Sequence, residues 1–110
     1  MKKTLTIPIY DATIQLHVTK DLPKAAMNAG YDGEVGDSGG IVLHYPDYSR
    51  VYTIILNKDH LSPGIIAHEA YHLTKKIMNT FDLVDTKDNH ETGAYLIGFI
   101  VDLITQSVKK

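Results

Sequence analysis

The sequence predicts an α+β domain: a small, mostly antiparallel sheet of about four strands packed on two long helices. Three observations point to it. Two segments near the start alternate apolar and polar side chains, two runs rich in β-branched and aromatic residues follow, and the second half carries apolar residues at helical spacing. At 110 residues the chain reads as one domain over 1–110, because a smaller unit would struggle to bury enough surface.

Taken in order, Thr4 to Tyr10 and Ala12 to Thr19 alternate around Asp11 and predict a hairpin of two half-buried strands. Asp21 can cap a short helix that carries Pro23 early, runs through Lys24 to Asn28 and stops at Gly30. Tyr31 to Gly40 holds four glycines and three acidic residues, the composition of an exposed loop. Ile41 to Tyr45 and Val51 to Leu56 flank a turn-forming stretch at Pro46 to Arg50 and predict a second hairpin. Ser62 followed by Pro63 marks the start of a long helix, with Ile66, Ala70, Leu73 and Ile77 as its buried stripe and an end near Asn79. After a polar connection from Phe81 to Asn89, the spacing of Ala94, Ile97, Val101, Ile104 and Val108 predicts a second long helix.

Composition excludes several classes. With 44% hydrophobic and 22% charged residues, the chain matches an ordinary globular domain and not a disordered or fibrous one. A net charge of -2 without a long basic run gives no electrostatic footprint for nucleic acid. No apolar stretch approaches the roughly 20 residues that span a bilayer, and the first residues lack the apolar core of an export signal, so a cytoplasmic protein is expected. Cysteine is absent, so any bound metal must be held by His, Asp or Glu.

One motif carries chemistry. His68-Glu69-Ala70-Tyr71-His72 fits H-E-x-x-H inside the first long helix, where residues four apart share a face and two imidazoles can converge on one zinc ion. Glu69 stands about 100° round the axis, which suits a base acting on water better than a ligand. The bland alternative is a solvated helix face with Glu69 near Lys76. A catalytic zinc needs a third protein ligand and an open position. The longer pattern that adds a glycine and a third histidine fails, because Lys75 and Met78 occupy those places. Glu91, at the start of the second long helix, is the first choice. Its competing role is local, closing a capping box with Asp88. His90 is the next candidate, followed by Asp82, Asp85 and Asp88.

Val51 to Asn57, the H-E-x-x-H helix and Glu91-Thr92-Gly93-Ala94-Tyr95-Leu96-Ile97-Gly98 together resemble the small zincin-like metallopeptidases of bacteriophage and mobile-element genomes. The resemblance covers about half the chain. It implies a gluzincin-type site, with His68, His72 and Glu91 as zinc ligands and Glu69 as the catalytic carboxylate. Better-known gluzincins place an acidic residue four positions after the ligand Glu to orient a histidine. Here that position is Tyr95, which either contributes its hydroxyl to catalysis or packs between the helices.

These readings predict hydrolysis of a peptide or protein substrate by an activated water, with Glu69 as general base. The resemblance places the substrate along a sheet edge formed by the strand before the motif helix, Val51 to Leu56. His60, Tyr71 and Tyr95 are the candidates for stabilising an oxyanion. His17 and His44, in strands, read as plain surface or core residues. The alternative function is a catalytically weak or inactive zincin-like module that binds a partner protein. The apolar breadth of the second helix, with Tyr95 and Phe99, leaves room for a homodimer contact.

Overall fold

The computed structural model describes residues 1–35, 39–46, 48–83, 86 and 90–109. Strands β1 (Lys2–Ile7) and β2 (Ala12–Thr19) form the expected antiparallel hairpin, Lys2 opposite His17 and Ile7 opposite Ala12. The first strand ends earlier than its alternation suggests. Pro8 has no N–H for the ladder, and Pro8–Tyr10 instead form a single 3-10 turn closed by the Asp11 N–H donating to the Pro8 carbonyl, with Asp11 at φ 48°. Helix α1 (Leu22–Asn28) is capped by the Asp21 carboxylate, which accepts from the Lys24 N–H, and Gly30 turns the chain away at φ 100°. The segment that follows is less detached than its glycines imply. Tyr31 and Val35 pack against Leu22, Ala25, Ala26, Leu43 and Ile55.

Strands β3 (Gly40–Leu43) and β4 (Val51–Asn57) pair antiparallel, as the second hairpin requires. The strand order is β1-β2-β4-β3, and β2 runs parallel to β4. Two of the three pairings are therefore antiparallel and the central one is parallel. This order corrects one expectation: β4 is not an edge strand. It has a neighbour on each side, its Tyr52, Ile54, Ile55 and Leu56 are buried, and the edge on this side of the sheet is β3. A run so apolar on both faces belongs in the interior.

Helix α2 (Pro63–Thr80) begins as expected, with Ser62 Oγ accepting from the Ile65 N–H at 3.1 Å. Ile66, Ala70, Leu73 and Ile77 are all buried against the sheet. Its far end is tied down by a side-chain chain: the Tyr52 hydroxyl donates to Thr80 Oγ1 at 2.7 Å, and Thr80 donates to the Lys76 carbonyl. Helix α3 (His90–Val108) lies against α2, and near its end the Ser107 carbonyl accepts from Lys3 Nζ on β1. Its buried stripe is Leu96, Ile100 and Ile104, with Ile97, Val101 and Val108 partly buried beside them. Ala94, expected in that stripe, is exposed, because the helix is turned so that Gly93 and not Ala94 meets α2. A Cβ on Gly93 would sit 3.4 Å from Met78 Sδ, so the helices approach closely there. Tyr95 and Phe99 face outward, 76% and 45% exposed. Among the described residues no helix is long and apolar enough to cross a membrane.

Candidate metal centre

The stripe that buries α2 also aims its motif. With Ile66, Ala70 and Leu73 against the sheet, His68 and His72 fall on the open flank and Glu69 on the boundary between core and solvent. Glu69 is only 6% exposed, so the solvated-face alternative does not describe it. Burial pushes its carboxyl above the usual carboxylate range, an effect that His68 and His72 partly counter when charged.

The two imidazoles converge. Their Nε2 atoms lie 3.3 Å apart, with ring centroids at 4.9 Å and planes inclined at 72°. The same separation is the edge of a zinc tetrahedron: two nitrogens at about 2.0–2.1 Å from the metal and about 109° apart are about 3.3 Å from each other. The separation of the two nitrogens thus matches that of two ligands on one such ion. Glu69 Oε2 is 3.8 Å from His68 Nε2, too long for a direct hydrogen bond and short enough for both groups to hold one water.

The motif faces a cleft of about 620 Å³ between α2 and the edge strand β3. Gly39 and Gly40 make this approach possible. A Cβ on Gly39 would meet Ile65 Cδ1 at 2.6 Å, and one on Gly40 would meet Glu69 Cγ at 2.8 Å and the Ile55 carbonyl at 3.0 Å. Composition places the Gly-Gly doublet in a loop, whereas a pair of glycines at a strand start marks a place where a helix comes close to the backbone. The cleft is also bordered by Tyr31, Tyr45 and Lys76, none of which the motif could point to.

The remaining candidates are placed differently. Glu91 lies in the first turn of α3, about 140° round the axis from buried Leu96, and its side chain is 66% exposed beside His90, Oε1 to Nε2 3.5 Å. Neither Glu91 nor His90 borders the cleft, and neither do His60, Tyr71 or Tyr95. Tyr95 is exposed and not packed between the helices. Asp82 is exposed at φ 55°, and Asp85 and Asp88, with the proposed capping box, lie outside the described residues. Among the described residues no group of three His, Asp or Glu side chains is drawn together for a metal. Tyr71 sits edge-on to His72 and under the Lys75 ammonium. His44 is a core residue, its Nε2 2.6 Å from the Ser49 carbonyl and its ring stacked on Tyr52 at 4.3 Å. His17 stands in β2 on the opposite face of the sheet from α2.

No family model, curated protein or solved structure matches the chain.

Proposed function

We propose that the protein is a zinc-dependent metallopeptidase of zincin-like type, with His68 and His72 holding the ion and Glu69 as general base. The observation that carries this reading is the 3.3 Å separation of the two Nε2 atoms beside a buried carboxylate. Zinc held there would supply Lewis-acid polarisation of a carbonyl and a lowered pKa for water. Glu69 then has a defined task. Its burial favours taking up a proton, and its position beside His68 lets it receive one from a water in the cleft and pass it to a leaving amine. The free edge of β3 borders the same cleft, so an extended peptide can add to the sheet there and present its backbone to the histidines.

Glu91 is the proposed third ligand. Its side chain is exposed, and Gly93, two residues on, meets α2 at Met78, about 9 Å along the axis beyond His72, so the start of α3 would have to move for Glu91 to reach the ion. The exposure of Glu91, together with the outward Tyr95 and Phe99, favours a second reading, a weak or inactive zincin-like module that binds a partner protein through α3.

Elemental analysis after dialysis separates the two. About one equivalent of zinc is expected in the wild type, none in His68→Ala, and the full amount in Glu69→Gln, which should lose peptide hydrolysis by at least about a hundredfold. Glu91→Ala should weaken zinc binding by at least about tenfold; unchanged affinity would remove Glu91 from the ligand set. A wild type that takes up no zinc at neutral pH would end the peptidase reading and leave the partner module.

A further inference from the structure

The cleft has a charged end that water activation does not use. Along α2 its border is formed by Ile65, His68, Glu69, His72 and Lys76. At about 100° per residue, Ile65, His72 and Lys76 fall within about 40° of one another round the helix. Lys76 therefore stands on the same face as the imidazole pair, about 6 Å further along the axis than His72. Its neighbour Lys75 turns elsewhere, with its ammonium 5.5 Å from the centre of the Tyr71 ring.

Lys76 is half-buried, and among the described residues no carboxylate lies within ion-pair distance of it. Glu69, the sole carboxylate bordering the cleft among the described residues, lies against His68. An anion entering the cleft can therefore pair with Lys76 without displacing a carboxylate already beside it. The cleft wall opposite is the β3 edge, along which an extended chain advances about 3.3 Å per residue. The axial offset of Lys76 from His72 is thus about two substrate residues.

Resting on the peptidase reading, we propose that Lys76 is a specificity residue that selects peptides carrying a carboxylate about two residues from the scissile bond. An Asp or Glu side chain supplies that carboxylate within a chain, and a free C-terminus supplies it at the end of one. The ammonium is a compact point charge that accepts either.

The test uses zinc-loaded protein and a set of fluorogenic peptides in which one Glu is scanned through the positions flanking the cleaved bond. Each peptide has a Gln and a Lys counterpart, and each is made with an amidated and a free C-terminus. The wild type should prefer Glu over Gln at one position by at least about tenfold in kcat/KM, carried mainly by KM. Lys76→Glu should reverse the preference toward the Lys peptide, and Lys75→Glu should retain it. A preference seen only with free C-termini places the terminal carboxylate in the seat. Equal use of Glu and Gln in both C-terminal forms, or a preference that survives in Lys76→Glu, overturns the proposal. If no peptide is cleaved, fluorescence anisotropy with the same peptides decides separately. Lys76-dependent binding of the acidic peptides upholds the carboxylate seat while the peptidase reading falls, and indifferent binding removes the seat as well.

Discussion

The two faces of the sheet are unequal, and the inequality decides where the chemistry sits. Toward α2 and α3 the described residues form a core of seventeen buried side chains, from Ile7 on β1 through Ile104 on α3. Toward α1 they form a core of five, Leu22, Ala25, Ala26, Leu43 and Ile55. Beyond that short helix the second face is open, with Thr4, Gln15, His17 and Thr53 along a polar cleft. The histidine pair belongs to the rim of the larger core, where Leu73 and Ala70 hold the helix that carries it. The edge strand β3 joins the two: Val42 enters the larger core and Leu43 the smaller. A precise site is thus built where burial on both faces pins one short strand beside a capped helix.

The sharpest way to break this comparison is to open a cavity on each side. Leu73→Ala, in the middle of the larger core, should cost about 4 kcal/mol, near the upper end for such truncations, whereas Leu22→Ala, at the start of a seven-residue helix that can settle inward, should cost about 2 kcal/mol. Urea denaturation reads both. Equal losses would mean that the smaller core is as rigid as the larger.

Next comes the strand that links them. Gly40→Ala forces a methyl group against Glu69 Cγ and the Ile55 carbonyl, and should destabilise by about 1–3 kcal/mol, measured in the same way. The variant should also bind zinc more weakly than wild type in a competition titration, since β3 and α2 must separate. Normal zinc affinity with lowered stability would show that the cleft width does not position the histidines.

The smallest effect belongs to the open face. Burial, and then the charges of Lys2 and the terminal ammonium, hold His17 below the ordinary histidine value of about 6.5. In the window between that value and the lower folded one, the unfolded chain binds the extra proton and the folded chain does not. Stability therefore falls as pH drops through this window, and the penalty is complete below the folded value. His17→Gln should flatten that decline without altering zinc binding, which denaturation curves from neutral to mildly acidic pH would reveal. An unchanged slope would assign the pH dependence to other groups.

Much of this was legible in residues close in sequence. Asp21 and Ser62 cap the helices that their chemistry predicts, the Ile66-to-Ile77 stripe is buried as its period requires, and the strand pairs Lys2–Ile7 with Ala12–Thr19 and Gly40–Leu43 with Val51–Asn57 are those their patterns and intervening turns imply. The spacing of His68 and His72 alone puts two imidazoles on one helical turn. Ala94 is exposed where its spacing predicts burial, because a period of 3.6 leaves the phase of a stripe open by one residue when apolar side chains surround the helix. Pro8 ended a strand that alternation alone would have continued.

Local pattern determined the elements and half of the candidate site, because caps, turns and helical spacing are set by neighbours along the chain. Only the tertiary structure decided that β2 lies parallel to β4, that β3 is the edge beside the histidines, that Gly40 yields to Glu69, and that Lys76 looks into the same cleft while Glu91 looks out. Those facts depend on which faces bury against each other, and the packing of distant segments selects that arrangement through a sum of many contacts that no single stretch of sequence contains.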